Sequence, residues 1–175
     1  MLESGSPKPL SELKLGDRIK TSDGEGKFSF SEVLVLPHAK NVDPAAFLTL
    51  TTDSGKTVDM TSDHFIPKCD QAVVMAGELV VGDCVVTVDG KETLAGITPT
   101  AKAGVYTAVT KNKFIVVNGI VASAFSRDHD FAHPDHDYQK YFEELERERL
   151  RKLDYISRKS HKKSVLSGLQ KYLHG

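Results

Sequence analysis

Residues 12–24 read ELKLGDRIKTSDG, and residues 78–90 read ELVVGDCVVTVDG. Seven positions are identical: Glu12/Glu78, Leu13/Leu79, Gly16/Gly82, Asp17/Asp83, Thr21/Thr87, Asp23/Asp89 and Gly24/Gly90. Leu15/Val81 and Ile19/Val85 are similar in character. Each copy is followed by a β-rich stretch, FLTLTT at 47–52 in the first and VYTAVT at 105–110 in the second. Two copies are too few for a solenoid, in which each repeat only stacks on its neighbours. Two halves of roughly sixty residues, each a few curled strands, instead predict a pseudo-two-fold β structure whose halves close over each other.

The surroundings of the repeat agree. Short runs rich in Val, Thr and Ile at 30–36, 47–52, 57–60, 84–88 and 114–117 are separated by Ser22-Asp23-Gly24, Asp53-Ser54-Gly55 and Asp89-Gly90. Those breaks supply the positive φ of tight turns, so the pattern is that of many short strands. After Ser126 the composition changes. Residues 128–137 read DHDFAHPDHD, a polar linker, and 138–159 read as an amphipathic helix with Tyr138, Tyr141, Phe142, Leu145, Leu153 and Ile156 on its apolar stripe. A shorter helix is expected at 164–173. The division is therefore a β core over 1–126 and a helical tail over 127–175.

The 175 residues are 39% apolar and 27% charged, with a net charge of −1, which gives no electrostatic reason to bind nucleic acid. No apolar run is long enough to cross a bilayer, and no signal peptide opens the chain, although a domain cut from a larger precursor would carry none. Cys69 and Cys84 are too few for a disulfide framework and lack zinc-site spacing, so they read as buried or half-buried strand residues. His129, His133 and His136 with their aspartates have metal-ligating chemistry, but Pro134 breaks any helical register between them and a solvated linker is the simpler reading. No metal and no cofactor is expected.

The chemistry-bearing stretch is Thr61-Ser62-Asp63-His64, at the end of the run 57–60. A Thr and a His three apart at a strand end can share one pocket, where the hydroxyl bonds a peptide group and the imidazole protonates a leaving amine.

The order of these blocks resembles the C-terminal autoprocessing domain of Hedgehog proteins, a Hint-type domain related to inteins. The resemblance runs through LESGSPKPLSELKLGDRI at 2–19, FSEVL at 30–34, VDMTSDH at 58–64, Gly82-Asp83 and FIVVNGIVAS at 114–123. It implies a mainly β fold, the Hint horseshoe built from a tandem duplication, with a C-terminal α-helical extension. It also implies self-cleavage. A cysteine at the domain's first position attacks the preceding carbonyl, and the resulting thioester is resolved by a second nucleophile, a sterol in Hedgehog proteins. Thr61 and His64 fall on the residues that polarise the amide and protonate its nitrogen, both needed because an amide is a poor electrophile with a poor leaving group.

Three departures from the pattern matter. The chain opens Met1-Leu2-Glu3, where the pattern places the cysteine roughly eight residues upstream. His38 falls where Hedgehog proteins carry an aspartate; it reads as a general base, as the sign of another acceptor such as water, or as an exposed loop histidine after Pro37. Ala122-Ser123-Ala124 stands where the family often has Ala-Ser-Cys. The expected partners are an N-terminal polypeptide in cis and a sterol or other small nucleophile, with the domain monomeric and, in a Hedgehog-like parent, in the secretory pathway. The tail either packs on the core, lines an adduct site or meets a membrane or partner. The competing reading of the whole is a degenerate Hint domain that no longer cleaves and serves in binding or scaffolding.

Overall fold

The computed structural model describes residues 1–36 and 43–127, together with the exposed, helical Arg147. The chain divides into two compact units, Met1–His136 and Asp137–Gly175. Of the second, Arg147 alone is described, so the expected tail helices, the histidine-rich linker and His38 lie outside the described residues.

The first unit is built of strands: β1 (Arg18–Ser22), β2 (Phe28–Glu32), β3 (Pro44–Thr52), β4 (Thr57–Met60), β5 (Phe65–Pro67), β6 (Val73–Met75), β7 (Cys84–Thr87), β8 (Gly90–Ala103), β9 (Phe114–Val117) and β10 (Ile120–Ser123). Eight of them form one sheet in the order β2-β1-β9-β10-β7-β8-β3-β4, and β5 pairs with β6. The β9–β10 hairpin lies between the two repeat copies, because β9 pairs with β1 of the first and β10 with β7 of the second. Its run FIVVNGIVAS is apolar on both faces, and every residue of β10 is buried, as a central strand covered on both sides must be.

The repeated letters do the same work in each half. A single 3-10 turn, Leu10–Glu12 or Ala76–Glu78, delivers the buried Leu13 or Leu79. Gly16 and Gly82 then adopt φ of +90° and +98°, a region closed to most residues with a Cβ. Their N–H groups donate to Val33 and Leu94 carbonyls, while the N–H groups of Val33 and Leu94 return to Asp17 and Asp83. The Asp17 carboxylate accepts the Lys14 N–H at 2.8 Å and pairs with Lys8. Asp83 does likewise with the Val80 N–H at 2.9 Å and Lys68. Thr21 and Thr87 are both fully buried.

Strand β8 was not evident from the sequence. It pairs with β7 over Gly90–Thr93 and with β3 from Leu94 to Ala103, with a register shift at Thr51/Thr52. This bulge is where the strand passes from one partner to the other. The β-rich stretch at 105–110 is irregular rather than a strand. Ala108 and Val109 are buried there, held by one bridge from Val109 to Val35. The reading of Cys69 and Cys84 also changes: the two are joined in a disulfide. The β5–β6 hairpin brings Cys69, in its turn, against the first residue of β7.

Candidate functional site

Thr61 leaves the sheet where β4 ends. The backbone folds at once into a tight turn, with the His64 N–H donating to the Thr61 carbonyl at 3.1 Å. Two other elements then grip the turn. The 3-10 turn at Ala76–Glu78 donates the Ala76 N–H to the His64 carbonyl and the Gly77 N–H to the Ser62 carbonyl, each at 2.8 Å. A Cβ at Gly77 would stand 3.0 Å from that Ser62 carbonyl oxygen, so this second-copy turn has glycine where the first has Ser11. On the other side, the segment leaving β10 runs antiparallel to the turn. The Arg127 N–H donates to the Asp63 carbonyl and the Phe65 N–H to the Phe125 carbonyl, both at 3.1 Å, with His64 opposite Ser126.

This frame brings the two predicted side chains together. Thr61 Oγ1 lies 2.6 Å from His64 Nδ1, and the imidazole is nearly buried, with 9% of His64 exposed. Asp63 and Ser126 were not picked out from the sequence. Thr61 Oγ1 donates to Asp63 Oδ1 at 2.5 Å, and the Ser126 hydroxyl bonds the same carboxylate. Burial alone would push the Asp63 carboxyl up, but the hydrogen bonds from Thr61 and Ser126, with His64 beside it, hold it below its usual range. Asp63 is visible in the sequence as a member of the four-residue motif. Ser126 gives no such signal, because only the fold brings it there.

Thr61 and His64 open into a small cavity of about 40 Å3, walled by Phe47, Asp59, Tyr106 and Ser123 among others, with room for a water. Leu10, Ile115 and Val117 line both this cavity and a larger, mostly apolar cleft of about 670 Å3. Met1, Leu2 and Ile19 form part of the cleft. It lies where β1 changes partners: Ile19 bridges to Leu2, whereas Thr21 and Ser22 pair with β9. Ala124, the third departure noted above, is buried, and its carbonyl accepts the Thr107 hydroxyl at 3.2 Å. Among the described residues no group of three His, Cys, Asp or Glu side chains is placed to hold a metal ion.

The model of the Hint module family matches residues 1–165. The chain belongs to the Hint module family. Warthog protein 1 of Caenorhabditis elegans is 29% identical over 125 residues, 66% of this chain and 26% of that protein. The hedgehog protein of Drosophila yakuba is 28% identical over 137 residues, 72% of this chain and 30% of that protein. This Hint domain thus spans less than a third of the length of either relative. A DnaB intein from Synechocystis sp. PCC 6803 shares its fold with a TM-score of 0.58 at 18% identity, covering 71% of this chain and 92% of the intein. The mainly β, intein-like architecture that the resemblance implies is therefore the fold of the core.

Proposed function

We propose that this Hint domain cleaves the polypeptide that precedes it. A cysteine upstream of Leu2 attacks the carbonyl carbon on its N-terminal side, the C–S bond forms as the C–N bond breaks, and the thiol's proton ends on the departing amine. Thr61 bonds the scissile amide through its hydroxyl oxygen, and His64 carries the proton to its nitrogen. A second nucleophile, a sterol or water, then takes the acyl group from sulfur, with the upstream polypeptide in cis as the substrate.

The observation that carries this reading is the Thr61–His64 contact at 2.6 Å with the imidazole nearly buried. Backbone register supports it. The Glu3 N–H donates to the Arg18 carbonyl and the Lys20 N–H to the Met1 carbonyl, which sets Met1 and Leu2 in the apolar cleft that shares three walls with the site. Eight extended residues span about 26 Å, more than the radius of a domain of this size.

The test is a fusion in which a reporter peptide ending in a cysteine-led segment is joined ahead of Met1, incubated with dithiothreitol. Thiol-dependent cleavage before the cysteine is expected. His64→Ala is expected to slow it by two or more orders of magnitude, in line with the loss of a positioned proton donor, about 10²–10⁴-fold. A folded core that never cleaves would be a non-cleaving Hint domain serving in binding or scaffolding. Cleavage untouched by His64→Ala would remove His64 from the chemistry.

A further inference from the structure

Thr61 Oγ1 has one proton and two close partners, Asp63 Oδ1 at 2.5 Å and His64 Nδ1 at 2.6 Å. An ionised carboxylate can only accept, so the Thr61 proton points to Asp63. The second contact then requires His64 to donate, which places a proton on Nδ1 and leaves Nε2 as the nitrogen whose proton is gained or lost on titration. Asp63 is fixed from two directions. Its backbone carbonyl takes the Arg127 N–H, and its carboxylate takes a hydrogen bond from Ser126 on the same segment after β10.

We propose that Asp63 is the positioning residue of this site: through the Thr61 hydroxyl it selects the Nδ1–H form of His64 and holds the ring toward the pocket. This rests on the self-cleavage reading for its consequence but not for its geometry. Other charged or titratable groups around the ring are Asp59 of β4, paired with Lys102 of β8, then Tyr106 across the cavity and Arg127 after Ser126. Asp59 is already engaged by Lys102 and the Thr49 hydroxyl. Asp63 reaches the imidazole through a single intervening atom, Thr61 Oγ1.

The experiment uses the full chain, 15N-labelled, and the cysteine-bearing fusion. Two-bond 1H–15N correlation spectra distinguish the two neutral forms of His64 directly, and the wild type is expected to show Nδ1–H. Asp63→Ala is expected to lose that preference and to slow thiol-induced cleavage by about tenfold to a hundredfold, the usual weight of a hydrogen bond to a charged group. Asp63→Glu restores part of both. If Ala at this position prevents folding, Asp63→Asn keeps the volume and removes the charge. It is expected to move the histidine-range inflection of the cleavage–pH profile to lower pH, because a neighbouring carboxylate favours the imidazolium.

Wild-type Nδ1–H that persists unchanged in the folded Ala variant overturns the proposal, as does an unmoved inflection in the Asn variant. A wild-type fusion that does not cleave defeats the self-cleavage reading instead, and the tautomer measurement still decides the role of Asp63.

Discussion

Breaking the Cys69–Cys84 disulfide should lower the melting temperature of the core by about 11 °C while leaving it folded at room temperature. The bond closes a loop with a sequence separation of 15, and restoring that loop's freedom to the unfolded chain is worth about 3 kcal/mol at 25 °C. For a β core ending near Arg127, the unfolding entropy is about 0.27 kcal/mol/K. Their ratio gives the shift. The native arrangement has other supports at the same place. The Cys69 N–H donates to the Cys84 carbonyl at 3.1 Å, Lys91 Nζ reaches the Cys69 carbonyl at 2.9 Å, and Lys68 pairs with Asp83. Reduction therefore acts mainly on the unfolded state. The assay is calorimetry of the oxidised chain, the chain reduced with a phosphine, and the Cys69→Ala/Cys84→Ala double variant. A denaturant titration should also show a steeper slope for the reduced form, whose unfolded chain exposes more surface. A shift under about 2 °C, with both thiols titrated as free, would refute the reasoning. The value has a practical edge, because thiol-induced cleavage must be run below the melting point of the reduced protein.

Glu92 is held down to about 2 by Lys56 first, then by Ser54, Thr52 and Thr87 hydroxyls, from an ordinary 4.5. A depressed carboxyl contributes stability above its unfolded value and loses it as pH falls through the folded one. Acid titration should therefore show stability declining between about 4.5 and about 2, and Glu92→Gln should flatten that window when followed by denaturant midpoints at each pH. The twin glycines of the repeat give an internal control. A Cβ at Gly24 would lie 2.6 Å from the Phe114 ring, whereas one at Gly90 would have no described atom within 4 Å beyond its own chain neighbours. Both have positive φ, so Gly24→Ala should cost about 1–3 kcal/mol and more than Gly90→Ala in the same equilibrium unfolding measurement.

The duplication made the architecture legible because its identical residues are those the backbone cannot replace. Gly16 and Gly82 turn the chain, Asp17 and Asp83 cap the turn, and Thr21 and Thr87 fill the same buried position. The strands at 57–60 and 114–117 are bounded as expected, since continuous apolar or alternating runs end at turn residues there. Strand β8 leaves no periodic trace in the sequence because Gly96 and Pro99 interrupt it and most of its residues are exposed. The run at 105–110 misled for the opposite reason, being apolar enough to be buried without being a strand. The disulfide depends on a hairpin that folds Cys69 back onto β7, and a spacing of fifteen residues carries no trace of that. Thr61 and His64 were legible as a motif; the partnership of Asp63 with Ser126 was not, because it joins residues 63 positions apart.

The central claim is that this core converts an upstream peptide bond into a thioester, and hydroxylamine tests it most directly. Added to the cysteine-bearing fusion without other thiols, it should release the N-terminal piece as a hydroxamate, identified by intact mass, with Thr61→Ala and His64→Ala releasing little. A fusion that is folded, retains the free thiol of the junction cysteine and yields no hydroxamate would contradict the account.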